Sequence, residues 1–247
     1  MLDFSGVSNR TAFGRLARFP LRLVPSNAKL LVLQGPLRGW KWIAGSGNHG
    51  YWLGSYESRM QAAICGLVQP GVTCLDVGAN AGFYTLMFSK LTGDRGRVHA
   101  FEPLPLNCNY VEEHVAANHR HNVQLHKVAV SDLDGEARFE CRASRSMGSL
   151  SSTGSLSVQC VRLDTLFEAG AIGEPGVIKI DVEGAEYRVL KGARRLLSGA
   201  GISVLLATHG PTVKAQCVEF LRDLGYSLQP LDGKAFDMSD DFLARRG

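Results

Sequence analysis

The stretch Cys74-Leu75-Asp76-Val77-Gly78-Ala79-Asn80-Ala81-Gly82-Phe83-Tyr84-Thr85 leaves few folds open to this chain. Val72, Cys74, Leu75 and Val77 form a short apolar run, the pattern of a strand covered on both faces. Gly78 and Gly82 then permit backbone geometry or close approach that a Cβ forbids. Phe83, Leu86, Met87 and Leu91 recur at helical spacing and predict a helix that packs back on the sheet. Such a strand–glycine turn–helix unit is expected to leave backbone N–H groups free at the carboxyl edge of a parallel sheet, where open α/β folds bind ligands.

The rest of the chain repeats the alternation. Residues 30–34 and 40–44 read as a hairpin around Gly35-Pro36-Leu37-Arg38-Gly39, and 58–68 as a helix closed by Pro70-Gly71. Strands are predicted at 72–77, 97–101, 123–130, 136–142, 157–163, 177–180 and 202–207. Helices are predicted at 83–91, 106–118, 183–197 and 213–224, with a short one starting at Asp164. The serine-rich stretch 143–158 reads as a mobile loop. A last hairpin, 226–231 with 235–238, is expected around Asp232-Gly233. This order predicts an α/β fold: a doubly wound, mostly parallel sheet with an antiparallel C-terminal hairpin. Residues 1–50 are expected to form a basic N-terminal arm and hairpin, and 51–247 the ligand-binding domain.

Composition narrows the class. The content of 45% hydrophobic and 20% charged residues is that of a soluble globular protein. No apolar run approaches the roughly 20 residues of a membrane span. Basic residues follow Leu2 to Val7 rather than precede them, so no secretory leader is expected. The six cysteines are scattered with no C-x-x-C pair, which predicts reduced, structural thiols and a cytoplasmic location. The net charge of +4 arises in the first 41 residues, where Arg10, Arg15, Arg18, Arg22, Lys29, Arg38 and Lys41 face only Asp3. That arm has the Arg-rich, acid-poor look of a transit peptide and also suits an acidic partner, but a solvated basic face explains it as well.

Carboxylates end successive predicted strands at Asp76, Glu102 and Asp132, and Asp181 ends the next core strand. Glu102 lies 20 residues past Gly82, the distance at which a carboxylate accepts hydrogen bonds from ribose hydroxyls. A dinucleotide fingerprint needs G-x-G-x-x-G, whereas this register reads Gly78-x-Asn80-x-x-Phe83; a P-loop motif is also absent. S-adenosylmethionine meets these conditions. It carries a ribose and an adenine, no phosphate, and cationic groups that favour nearby carboxylates.

The segments Asp76 to Thr85, Ala100-Phe101-Glu102-Pro103, Ala129-Val130-Ser131-Asp132 and Lys179-Ile180-Asp181-Val182-Glu183-Gly184-Ala185-Glu186 resemble the FkbM family of S-adenosylmethionine-dependent methyltransferases. Gly54-Ser55-Tyr56-Glu57 and Arg162-Leu163-Asp164-Thr165-Leu166 resemble it too, so the likeness spans about residues 50–210. It implies the class I methyltransferase, Rossmann-like fold and O-methylation of a sugar, glycan or natural product. It also implies that Asp76, Gly78, Asn80 and Gly82 hold the methionine end, Glu102 the ribose, and Ser131 and Asp132 the adenine edge. Asp181 and Glu183 would border the transferred methyl. The family often has a glutamate two residues before the histidine at the fifth-strand end; here Ala207 stands there, so no role passes to it.

Methyl transfer to a hydroxyl benefits from a base. His209, at the fifth-strand end, is the candidate base, and Asp181 is the second candidate catalytic residue. His49 and Tyr56 are weaker candidates for acceptor contact, and Trp40, Trp42 and Trp52 for stacking. Glu186 is expected to act structurally at a helix start. His114, His119 and His121 resemble a metal cluster, but they sit at a helix end beside Arg120 and are expected to be solvated. No metal is expected. Asp181-Val182-Glu183-Gly184 lacks the [ND]-P-P-[YF] pattern of amino methylation, so no nucleic-acid acceptor is expected. An NAD-dependent oxidoreductase and a non-catalytic S-adenosylmethionine-binding protein are the alternatives.

Overall fold

The protein is described from a computed structural model covering residues 23–141, 148–150 and 156–246, with side chains omitted at 139–141, 148–150 and 156. The expected basic arm before residue 23, and much of the serine-rich stretch, lie outside these residues.

In chain order, β1 (Lys29–Leu31) and β2 (Lys41–Ile43) pair as an antiparallel hairpin, followed by helices α1 (Gly50–Leu53) and α2 (Ser58–Leu67). Then come β3 (Thr73–Val77), α3 (Phe83–Thr92), β4 (Arg97–Phe101), α4 (Pro105–Ala117) and β5 (Val123–His126). A small sheet is built from β6 (Ala129–Val130), β7 (Gly135–Cys141), β8 (Gly148–Leu150) and β9 (Leu156–Val161). The chain continues with α5 (Leu163–Glu168), β10 (Val177–Ile180), α6 (Glu186–Lys191), α7 (Arg194–Leu197), β11 (Ser203–Ala207), α8 (Pro211–Asp223), β12 (Tyr226–Pro230) and β13 (Asp241–Arg246).

Among the described residues the central sheet has seven strands in the order β12-β13-β11-β10-β3-β4-β5. All its neighbours are parallel except those of β13, which runs antiparallel to β11 and β12. Strand order reverses between β3 and β10, which opens a crevice at their carboxyl ends. This is the class I methyltransferase architecture expected from the sequence.

Side chains alternate faces along each strand, so the sheet carries two apolar layers. Leu75, Val77, Ile178, Ile180, Val204 and Leu206 pack on one face under α6, α7 and α8. Cys74, Val98, Val177 and Leu205 join the other layer, which includes α2, α3 and the N-terminal hairpin. Val32, Leu37 and Trp42 from that hairpin are fully buried in the second layer with Phe83 and Phe88, so the hairpin is part of the same core. Among the described residues no helix is long and apolar enough to cross a membrane.

Some expectations are corrected. Strand 123–130 is split: Ala129 and Val130 leave the central sheet and pair with β9, because residues 127 and 128 turn the chain toward the small sheet. The serine-rich stretch expected as a loop contains β8, paired with β7. The partner strand of the last hairpin is Asp241–Arg246 rather than 235–238, and it inserts Phe242 and Ala244 into the core. His114 is not solvated. It stacks on Trp42 at 3.8 Å between centroids, its Nε2 accepts the Ile43 N–H at 3.0 Å, and its Nδ1 faces the Ala81 carbonyl at 2.8 Å.

Burial lowers the pKa of His114, and of His99 in the sheet, to about 4. Unfolded histidine titrates near 6.5. Between about 6.5 and 4 the unfolded chain therefore binds protons that the fold refuses, and stability falls as pH drops through that window. Thermal melting followed across it is expected to show this decline, with a shallower slope in His114→Gln. An unchanged slope in that variant would refute the assignment.

Candidate functional site

The site begins with a register. Lys179 of β10 lies opposite Asp76 of β3, so both side chains leave the sheet on the same face. Both are buried, and the Lys179 ammonium sits 3.7 Å from Asp76 Oδ1, 3.4 Å from Asp181 Oδ2 and 5.1 Å from the Tyr84 ring centroid. Burial opposes the Lys179 charge, but the Asp181 and Asp76 carboxylates overcome it and raise its pKa. Asp76 is pushed up by burial, against the pull of Lys179 and of Thr85, whose hydroxyl donates to Oδ2 at 2.6 Å. Lys179 was not singled out in the sequence. Its signal was a lone cation inside the otherwise apolar run Val177-Ile178-Lys179-Ile180.

From β3 the chain passes through Gly78, Asn80 and Gly82, all left-handed, with φ of +81°, +49° and +89°. Asparagine tolerates this region better than most residues, which explains the break in the dinucleotide register at position 80. The expected free N–H groups are not found at the start of this loop. Those of Gly78 and Ala79 both donate to the Phe101 carbonyl, and that of Asn80 donates to Glu102 Oε2 at 2.8 Å. These donors serve the loop itself rather than a phosphate.

Glu102, at the end of β4, is buried and also accepts from the Leu104 N–H at 2.9 Å and from Asn107 Nδ2 at 3.2 Å. Burial raises its pKa to about 7, and the hydrogen bonds from Leu104, Asn107 and Asn80 pull against that rise.

Several of these groups, though not Asp76 or Gly82, border a cavity of about 440 Å³ at the carboxyl ends of β3, β4 and β10. That size falls in the roughly 300–1,000 Å³ range of small-molecule sites. Gly78, Asn80, Glu102, Asp181, Glu183 and Lys179 line it. Phe101, Leu104, Val128 and Val130 add apolar wall, while Asn48, Tyr51, Tyr56, Phe83 and Tyr84 form another side. Tyr84 donates to Glu57 Oε2 at 2.5 Å. Tyr56 therefore lies where an acceptor contact was expected, whereas Trp42 and Trp52 are core residues and Trp40 lies under Lys90 and Arg120.

Beyond β10 the chain turns sharply, with Glu183 and Gly184 at φ of +56° and +106°. The helix expected from residue 183 begins only at Glu186. Glu186 is fully buried, and its Oε1 accepts from the Gly184 N–H at 2.9 Å and the Val182 N–H at 3.3 Å. The same oxygen meets His209 Nδ1 at 2.9 Å. His209 Nε2 faces Asp181 Oδ1 at 3.9 Å and Glu183 Oε2 at 3.8 Å. The Glu186 hydrogen bond, helped by these carboxylates, pushes the His209 pKa up to about 9. His209 is not among the cavity-lining residues; Asp181 and Glu183 stand between it and the cavity.

Ser131 and Asp132 are not brought into the cavity, whose wall ends at Val130. Ser131 is buried with its backbone against Gly192, and Asp132 pairs with Lys191 at 2.6 Å. The split of the expected third strand moves both residues away.

Residues 76–228 match the model of the methyltransferase FkbM domain. Among curated proteins, the chain is 30% identical over 132 residues to hexuronic acid methyltransferase AglP of Haloferax volcanii, covering 53% of each chain. It is 30% identical over 159 residues to 31-O-demethyl-FK506 methyltransferase FkbM of Streptomyces tacrolimicus, covering 51% of this chain and 60% of that one. The matches thus span little more than half the length of these relatives. Among solved structures, methyltransferase FkbM of Methylobacillus flagellatus KT superposes with a TM-score of 0.49 at 17% identity, covering 79% of this chain and 52% of that one.

Proposed function

The chain belongs to the FkbM methyltransferase domain family, and from that premise we propose that it transfers a methyl group from S-adenosyl-L-methionine to a hydroxyl of a small molecule such as a sugar, glycan or natural product. The observation that carries the donor assignment is Glu102: a buried carboxylate on the cavity wall that also ties down the glycine loop. Its Oε1 already accepts from Leu104 and Asn107, whereas Oε2 accepts from the Asn80 N–H and keeps a second lone-pair direction for a ribose hydroxyl. Gly78 and Asn80 would hold the methionine end, with Gly82 fixing their loop and Asp76 acting through Lys179. Asp181 and Glu183 place negative charge where a cationic donor would bind. Leu104, Val128 and Val130 offer an apolar wall for adenine, in place of the contact first assigned to Ser131 and Asp132.

When bound, the donor supplies an already electrophilic methyl carbon, so the chain's task is alignment, desolvation and proton removal. Asp181 lines the cavity and would take the hydroxyl proton. His209, behind it and engaged by Glu186, would fix the Asp181 and Glu183 carboxylates rather than reach the acceptor. Tyr51, Tyr56 and Tyr84 would flank the acceptor, an arrangement suited to a sugar ring.

A calorimetric titration tests the reading: S-adenosylmethionine should bind, NADH should not, and the reverse result would overturn it. In Glu102→Gln the donor affinity is expected to fall roughly tenfold, the scale of losing charge-assisted hydrogen bonds. Because the Glu102 pKa lies at about 7, the carboxylate ionises as pH rises through that value, and wild-type affinity should rise with it. Glu102→Gln should be flat across the same range. An unaltered affinity in this variant would remove Glu102 from the ribose.

A further inference from the structure

The turn after β10 and the end of β11 bring one imidazole and two carboxylates together. Oxygens of Asp181 and Glu183 and a nitrogen of His209 lie within 4.8 Å of one another, and His209 Nε2 is 3.9 Å and 3.8 Å from the two acids. These two separations are too long for hydrogen bonds. They are close to the roughly 3–4 Å at which ligands stand apart when each lies about 2.1 Å from one shared cation.

A second feature lies outside the three. Glu186 is fully buried, and its Oε1 holds His209 Nδ1 at 2.9 Å while its Oε2 has no hydrogen-bond partner. A carboxylate on the far nitrogen fixes ring orientation and raises the basicity of the near one, as outer-sphere partners of metal-bound histidines do. The buried acid is itself anchored by the Val182 and Gly184 N–H groups, so the turn that carries Glu183 and the ring that carries Nε2 are set by one residue. Asp181 divides its oxygens: Oδ2 faces Lys179, and Oδ1 faces His209.

We propose that Asp181, Glu183 and His209 bind a divalent cation whose remaining coordination positions open toward the cavity and take acceptor hydroxyls. An imidazole with two carboxylates is a nitrogen–oxygen set suited to manganese, zinc or ferrous iron, with no soft ligand to select copper(I). The cation replaces the proton on Nε2. It would polarise a coordinated hydroxyl, whose proton then leaves more readily to water as the oxygen attacks the methyl carbon, the S–CH3 bond breaks and S-adenosylhomocysteine departs. It also offsets the acidic excess of the cavity lining, whose charged members among the described residues are Glu102, Asp181, Glu183 and Lys179. The acceptor role rests on the methyl-transfer reading; the cation site does not.

The test uses the full chain and Mn²⁺ alone, followed by electron paramagnetic resonance at mildly alkaline pH, with water-proton relaxation on the bound form. Wild type is expected to bind one Mn²⁺ saturably and to keep exchangeable water on it. Glu183→Gln and His209→Ala should weaken binding at least roughly tenfold, and Glu186→Gln by roughly 10–100-fold. If His209→Ala does not fold, the near-isosteric Glu183→Gln decides. The site is refuted if wild type shows no saturable Mn²⁺ or if Glu183→Gln binds as tightly. Bound Mn²⁺ without exchangeable water refutes the acceptor role. Titration of the same samples with S-adenosylmethionine separates the two ideas: Mn²⁺ bound with no donor binding leaves the cation site standing and removes the methyl-transfer reading.

Discussion

Replacing Gly78 with alanine is expected to abolish measurable binding of S-adenosylmethionine, the largest functional loss from a single added methyl group. At φ of +81° an L side chain is already strained by about 1–2 kcal/mol. A Cβ here would stand 1.9 Å from the Asp181 carbonyl oxygen and 2.9 Å from its carbon. Both are backbone atoms at the tip of β10, so no rotamer change relieves the overlap. Either β3 and β10 separate at the crevice, or Asp181 is pushed out of the cavity wall. Both outcomes disturb the floor on which the donor is proposed to lie. Gly82 makes the control. It has a similar φ of +89°, but its Cβ would come no closer than 3.2 Å to the Val111 side chain and 3.5 Å to the Val111 Cα, so Gly82→Ala should show strain without collapse. Calorimetric titration of both variants is expected to give a loss beyond roughly 100-fold for Gly78→Ala, equivalent to about 2.7 kcal/mol, and a smaller one for Gly82→Ala. If Gly78→Ala binds within about threefold of wild type, the cavity at this crevice is not the donor site.

The fold was legible where apolar periodicity and turn chemistry agreed. The core strands at 72–77, 97–101, 177–180 and 202–207 carry mostly apolar runs, interrupted by residues such as Asp76, His99 and Lys179, because helices cover both faces, and the structure places them within a residue of those bounds. Elements outside the central sheet were harder to read. Val128, Ala129 and Val130 are as apolar as a strand continuation, and nothing local shows that the chain crosses to a second sheet there. Residues 235–238 looked like the return strand because Asp232-Gly233 is a good turn; the true return, β13, starts later because its Phe242 and Ala244 fill the space beside β11. His114 shows the same limit. Glu112 and Glu113 precede it and His119, Arg120 and His121 follow a turn later, while its burial comes with the stacking of Trp42, more than seventy positions away.

At the candidate site, spacing located Glu102 and the glycine turn because both are fixed by short chain geometry. Ser131 and Asp132, expected at the adenine edge, lie beyond the cavity wall, since their position depends on the strand break just before them. Glu186 reads as a helix-start acid, and the structure puts it at the first position of α6; what the sequence did not show is that Glu186 is fully buried and bonded to His209 across 23 positions. That contact is long-range and has no local pattern. The Asp181, Glu183 and His209 grouping was likewise hidden: two of its members share a loop, but the third comes from the next strand end.

Lys179→Met is expected to lower stability by about 3–5 kcal/mol, the range for removing one partner of a buried ion pair. Methionine has similar length and would fill the space, so the loss is electrostatic rather than a cavity. Asp76 is fully buried, and its Oδ1 has no hydrogen-bond partner; the Lys179 ammonium at 3.7 Å is the charge that balances it. Without that ammonium, burial raises the Asp76 pKa further and the carboxyl tends to stay protonated. An unfolded aspartate ionises near 3.9, so above that pH the variant's unfolded state releases a proton that its fold retains, and the stability deficit widens as pH rises. Urea unfolding at several pH values should show the gap between wild type and Lys179→Met growing in that direction. The double variant Asp76→Asn with Lys179→Met should regain much of the loss, giving a coupling above about 1 kcal/mol in a double-mutant cycle. A loss below about 1 kcal/mol for the single variant, or simple additivity in the cycle, would mean that Lys179 answers mainly to Asp181. In that case Lys179→Met should leave the fold intact and weaken donor binding alone, because Asp181 Oδ2 would lose the partner 3.4 Å away that holds it at the cavity wall.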